Sequence, residues 1–138
     1  MNRILALDYG DKRIGSAISD PMQIIAKPFR VVANTTNENI LIELNEIIKE
    51  YEVEQLVVGL PLTLKNKYSA QTKKVIDFIK FLKKNISIPI HSYDERLSSI
   101  IAIQSLVKQG IKTGYNKEEI DKTAAAIFLQ SYLNNIEK

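Results

Sequence analysis

Short apolar runs interrupted by polar turns open the chain and predict β-strands. Residues 3–8 (RILALD) and 14–19 (IGSAIS) are separated by a polar stretch, which predicts a β-hairpin, and residues 29–34 (FRVVAN) predict a third strand. Because strands joined by short turns pair in opposite directions, we expect the first three strands to be antiparallel.

Helical and strand patterns alternate through the rest of the chain. Apolar residues recur at helical spacing over 37–51, and the apolar run 55–61 (QLVVGLP) is typical of a strand buried on both faces of a sheet. A second helix follows around Val75 and Phe78. The remaining predicted elements are a strand over 88–95 (IPIHSYDE) and helices over 98–108 and 117–135. This order predicts an α/β fold in which helices flank a mixed sheet of five strands.

Composition and charge restrict the classes of function. The 138 residues fit one domain spanning 1–138, and no apolar run approaches the ~20 residues of a membrane helix. The first residues lack the pattern of a secretory signal, so we expect a cytoplasmic protein with no membrane partner. The absence of cysteine excludes disulfides, thiolate metal sites and thiol catalysis. A net charge of +3 permits a polyanionic partner such as nucleic acid.

Acidic residues lie where a strand end or a helix face would otherwise be apolar. Asp8 ends the first strand, Asp94 and Glu95 end the last strand, and Asp121 heads an apolar stripe of the last helix. If the first strand is central, Asp8 and Glu95 can lie on one rim of the sheet and the helix can bring Asp121 close. Converging carboxylates repel each other unless a divalent cation lies among them, so the pattern predicts a Mg²⁺ or Mn²⁺ site. Two such ions can clamp a phosphodiester displacement.

Each of these acids also has a purely structural interpretation. Asp8 could cap a turn, Glu95 could be an exposed strand end, and Asp121 could be a first-turn acid favoured by the helix dipole. Adjacent strand residues point to opposite sides of a sheet, so only one of Asp94 and Glu95 is expected in the site. Periodicity does not decide which one.

Four segments together resemble the YqgF/RuvX family, whose members belong to the RNase H-like superfamily and are described as Holliday-junction resolvases or pre-16S rRNA nucleases. They are ALDYGDKRIGSAISD (6–20), VVGLPLTL (57–64), SYDERLSS (92–99) and DKTAAAIFLQSYL (121–133). The resemblance covers nearly the whole chain and implies an RNase H-like fold. It also implies that Asp8, Glu95 and Asp121 are the catalytic residues and the ligands of two Mg²⁺ or Mn²⁺ ions.

Basic residues near these motifs are the candidates for contact with nucleic acid. Arg13 and Arg96 occupy positions of the family motifs, where an arginine could bind a phosphate or could pair with the carboxylates and hold them in place. Lys65 and Lys67 follow Gly59 in the next loop and could touch a nucleic-acid backbone. Gly59 itself is most simply the end of a buried strand.

Functions from different classes remain open at this point. The resemblance implies an endonuclease, which could process the 5′ end of pre-16S rRNA as a monomer or resolve a symmetric Holliday junction as a homodimer with two active sites. A non-catalytic nucleic-acid-binding module could keep the same fold. An actin-like or sugar-kinase-like ATPase also begins with a strand ending in Asp-x-Gly, but its ATP site lies between two lobes and 138 residues supply only one. We expect the endonuclease, with rRNA processing as its main function.

Overall fold

The computed structural model describes residues 2–62, 69–97 and 117–136, with side chains in the last range described from Lys122 onward. The strands are β1 (Arg3–Tyr9), β2 (Arg13–Ser19), β3 (Ala26–Ala33), β4 (Val53–Leu60) and β5 (Ile90–Asp94). The helices are α1 (Asn37–Glu50), α2 (Ala70–Asn85) and α3 (Lys117–Asn135), and a short 3₁₀ helix spans Glu95–Leu97. The helix predicted over 98–108 lies outside the described residues.

The strands form one mixed sheet in the order β3-β2-β1-β4-β5. Strand β2 is antiparallel to β1 and to β3, whereas β1, β4 and β5 run parallel to one another. The predicted five-stranded mixed sheet and its antiparallel first three strands are therefore confirmed, and β1 lies at the centre of the sheet.

Local side-chain hydrogen bonds set where the first two helices begin. The side chain of Thr36 accepts a hydrogen bond from the Asn39 backbone N–H at 3.1 Å at the start of α1. Ser69 and Thr72 bond reciprocally at the start of α2, which forms a capping box. Across the ranges that the structure describes, no helix is long and apolar enough to cross a membrane.

Helices cover both faces of the sheet. Helices α1 and α2 pack on the face that carries Leu5, Leu7, Leu56 and Val58. Helix α3 packs on the opposite face, where the buried residues are Ile4, Ala6, Ala17, Val57, Ala124, Ala125, Phe128, Leu129 and Leu133. Because strand side chains alternate between faces, Asp8 and Gly59 continue the rows of Ala6 and Val57 on the α3 face.

The predicted strand over 88–95 is wrong at its end, because β5 stops at Asp94 and Glu95 begins the 3₁₀ helix. The Asp94 side chain accepts a hydrogen bond from the Arg96 backbone N–H at 2.9 Å. Such a bond from an aspartate to the residue two positions later turns the backbone, so it competes with continuation of the strand.

Candidate active site

The carboxyl ends of the three parallel strands meet at one edge of the sheet. Leu7 of β1 pairs with Val58 of β4, and Gly59 pairs with Tyr93 of β5. Asp8 therefore lies level with Gly59, and Glu95 follows the end of β5. Open α/β sheets bind ligands at the carboxyl ends of their strands, which makes this edge the candidate site.

The structure brings Asp8 and Glu95 together. Their side chains are joined by a hydrogen bond, and Glu95 is only 4% exposed. Burial raises the pKa of the Glu95 carboxyl, the hydrogen bond with Asp8 acts in the opposite direction, and the charge of Asp94 raises this pKa further. A hydrogen bond between two carboxyl groups needs a proton on one of them, so the two acids share one proton when this bond is made.

Asp94 is held away from this pair by its own partner. Its carboxylate accepts hydrogen bonds from Arg96 Nε at 3.0 Å and from Arg96 Nη2 at 2.6 Å. The side-chain hydrogen bonds with Arg96 hold the pKa of Asp94 below its ordinary value, and the same bonds raise the pKa of Arg96. Of the two adjacent acids, Glu95 is thus the one that the fold directs to Asp8.

Three of the predicted site residues cannot be placed against this pair. Residue 121 belongs to α3, but its side chain lies outside the described residues, as do Lys65 and Lys67. Within the part of the chain whose side chains are described, no group of three acidic or histidine residues could hold a metal ion. The convergence of Asp121 with the other two acids therefore stays a prediction.

Arg13 lies on the same face of the sheet as Asp8, because Asp8 pairs with Gly15 and Arg13 is two residues away from Gly15. The turn before Arg13 is fixed by the Gly10 backbone N–H, which donates to the Arg13 carbonyl at 2.9 Å. A Cβ at Gly10 would lie 2.6 Å from that carbonyl oxygen. The Asn34 side chain also donates to the Gly10 carbonyl at 2.8 Å. These hydrogen bonds stabilise the turn between β1 and β2 beside Asp8.

Gly59 is the residue whose place in the site the sequence does not reveal. Glu95 and Phe128 occupy the space above its Cα on the α3 face. The sequence signals are its place in the family-like segment 57–64 and a glycine inside the apolar run VVGLP, and the second is equally typical of an ordinary strand end.

Relatives of this chain are named as nucleases. A protein of Desulforamulus reducens is 41% identical over 133 residues, which cover 96% of this chain and 97% of the relative. A protein of Maridesulfovibrio salexigens is 41% identical over 131 residues, covering 95% and 97% respectively. Both carry the name "Putative pre-16S rRNA nuclease".

Solved structures of junction resolvases share the fold. RuvC of Thermus thermophilus in complex with a Holliday junction substrate has a TM-score of 0.57 at 13% identity, covering 96% of this chain and 94% of that chain. The yeast mitochondrial Holliday junction resolvase Ydc2 has a TM-score of 0.52 at 10% identity, covering 96% and 78%. The predicted RNase H-like fold is therefore confirmed.

A family model places the chain among these proteins. The model is that of RuvX, described as "Holliday junction resolvase", and it matches residues 2–135. Together with relatives at 41% identity over nearly the full length, this match confirms the family that the four sequence motifs predict. The chain belongs to the RuvX family.

Proposed function

We propose that this chain is a divalent-metal-dependent endonuclease that processes the 5′ end of pre-16S rRNA in ribosome biogenesis, in the cytoplasm. The pair of Asp8 and Glu95 is the observation that carries the proposal, because two hydrogen-bonded carboxyl groups, one of them buried, lie at the edge of the sheet where ligands bind. The names of the relatives support the substrate.

The carboxyl groups suit a hard divalent cation. Asp8 and Glu95 offer oxygen ligands only, which Mg²⁺ and Mn²⁺ prefer. Two carboxyl groups as close as those of Asp8 and Glu95 need a proton or a cation between them, because two negative charges would repel each other. In the hydrogen bond described above, a proton lies between them. Asp8 and Glu95, with Asp121 as the predicted third ligand, would hold two ions. Such ions would supply Lewis-acid activation of a water molecule and stabilisation of the charge on the leaving oxygen of the phosphodiester.

The chain's own residues prepare the site for a polyanion. The carboxylate of Asp94 binds one edge of the Arg96 guanidinium through Nε and Nη2, so the position of Arg96 is set before any substrate binds. Guanidinium groups bind phosphate oxygens in a defined geometry. We propose Arg96 and Arg13 as contacts to the nucleic-acid backbone, together with Lys65 and Lys67, which follow β4 in the sequence.

Holliday-junction resolution is the second candidate. The description of the family and the fold shared with RuvC favour it. A symmetric junction requires two active sites, so this activity would need a homodimer, whereas trimming an RNA end requires only a monomer. The oligomeric state in solution therefore bears on the choice.

The test compares the two substrates directly. Purified protein is incubated with a labelled pre-16S 5′ fragment or a four-way DNA junction, in Mn²⁺, Mg²⁺ or EDTA. Asp8→Asn should abolish cleavage. The control is Asp11→Asn, which replaces an exposed acid in the neighbouring turn and should leave cleavage unchanged. Metal-dependent cleavage of the RNA alone supports the proposal, and cleavage of the junction alone favours the resolvase. If the folded wild-type protein binds both substrates and cuts neither, the chain is a non-catalytic binding module.

A further inference from the structure

The space above Gly59 is already filled by two other side chains. A Cβ at Gly59 would lie 2.7 Å from Oε1 and 3.2 Å from Cγ of Glu95, and 3.0 Å from Cε1 of Phe128. The backbone of Gly59 does not adopt the left-handed conformation that favours glycine. A side chain at position 59 would therefore displace its neighbours, whereas the backbone conformation alone would permit one.

The sheet topology explains why this space matters. Strand β4 lies between β1, which carries Asp8, and β5, which Glu95 follows. Neighbouring strands are about 4.8 Å apart, so the backbones of β1 and β5 are about 10 Å apart. The side chain of Glu95 can bond to Asp8 only by crossing β4, and it crosses above Gly59.

We infer that Gly59 is a positioning residue of the proposed active site: it leaves β4 without a side chain where Glu95 crosses to Asp8. The inference rests on the proposed function, in which these two acids hold the metal ions. Any side chain at position 59 displaces the Glu95 carboxylate first, because the closest contact is with the end of a flexible side chain. The contact with Phe128 provides a competing explanation, in which Gly59 serves only the packing of α3.

The test is the Gly59→Ala variant of the full chain, examined for metal binding, structure and cleavage. We expect Mn²⁺ affinity, measured by calorimetry, to fall at least about tenfold. A crystal structure should show the Glu95 carboxylate moved away from Asp8. In cleavage assays kcat should fall about 100-fold, the typical effect of a shift of about 1 Å in a catalytic group, while KM changes less than about threefold.

Two controls separate positioning from packing. Val57→Ala opens a cavity two residues earlier in the same strand and on the same face, so it should lower Tm without weakening Mn²⁺ binding. Phe128→Leu, added to Gly59→Ala, removes the ring contact and leaves the contact with Glu95. We expect this double variant to bind Mn²⁺ as weakly as Gly59→Ala does.

The outcomes distinguish this inference from the proposed function. Wild-type Mn²⁺ affinity in Gly59→Ala with Glu95 still bonded to Asp8, or full recovery of affinity with Phe128→Leu, overturns the positioning role. If Gly59→Ala does not fold, the Mn²⁺ affinity and the position of the Glu95 carboxylate are measured in the double variant instead, and the same outcomes apply. If the wild type cuts no nucleic acid but Gly59→Ala still separates Glu95 from Asp8, the positioning role holds and the proposed function fails.

Discussion

Replacing Glu95 by glutamine separates the charge of this buried acid from its shape. Glutamine has nearly the same size, and its amide N–H can donate to Asp8, but it does not ionise. Because burial raises the pKa of Glu95, the metal-free wild type has an unfavourable group in its core when the solution is neutral or basic. We expect Glu95→Gln to be inactive as a nuclease and, in EDTA, more stable than the wild type at pH 8.

The sign and size of this effect follow from the burial of Glu95. The ordinary pKa of this carboxyl is 4.5, and the folded chain raises it. Below about pH 4 the carboxyl is protonated in both the folded and the unfolded chain, so the wild type carries no penalty. The penalty grows as the pH rises from the ordinary pKa through the raised one, and it is complete above the raised pKa. Because Glu95 is only 4% exposed, we expect Glu95→Gln to raise the free energy of unfolding at pH 8 by about 1–3 kcal/mol, which corresponds to roughly 3–10 °C in Tm.

Thermal unfolding in EDTA, followed by circular dichroism at pH 4 and pH 8, measures this difference. The matched control is Glu46→Gln, in an exposed acid of α1, for which we expect no comparable gain in Tm between the two pH values. If Glu95→Gln raises Tm equally at both pH values, or lowers Tm at pH 8, the argument that Glu95 carries a charge penalty is refuted.

Other contacts of the described residues give three further expected outcomes. Asp94→Asn should change the free energy of unfolding by less than about 1 kcal/mol, because a partly exposed ion pair contributes little to stability. It should nevertheless lower kcat/KM about tenfold, because Arg96 is no longer fixed. A wild-type kcat/KM would contradict this. Asp20→Ala should lower Tm at pH 7, because backbone N–H groups, chiefly that of Ile25, hold the pKa of Asp20 below its ordinary value. That difference in Tm should vanish as the pH falls through the lowered pKa, and a constant difference down to pH 2 would refute the assignment. Gln130→Ala should lower the free energy of unfolding by about 1–2 kcal/mol, measured by urea unfolding. The reason is that the Gln130 amide makes two hydrogen bonds of 2.9 Å that connect α3 to the β2–β3 hairpin. An unchanged unfolding midpoint would contradict this.

The elements of the fold were predictable because their signals are local. Short apolar runs on either side of a polar turn identified β1 and β2, and the helix predicted over 117–135 is α3, Lys117–Asn135, as the structure has it. The end of β5 was not predictable in this way. The strand ends where the Arg96 backbone N–H donates a hydrogen bond to the Asp94 side chain, and hydrophobic periodicity does not predict such a bond.

For the candidate site, the sequence by itself determined which chemistry was available. The chain has no cysteine, it has an acid at the end of its first strand, and its motifs are those of the RuvX family. These motifs imply Glu95 as a site residue, but only the tertiary structure shows that its side chain reaches Asp8 and that Gly59 leaves the space for it. Positions 8, 59 and 95 are far apart along the chain and become neighbours only because β4 lies between β1 and β5, so their relation depends on strand order and register rather than on any local pattern.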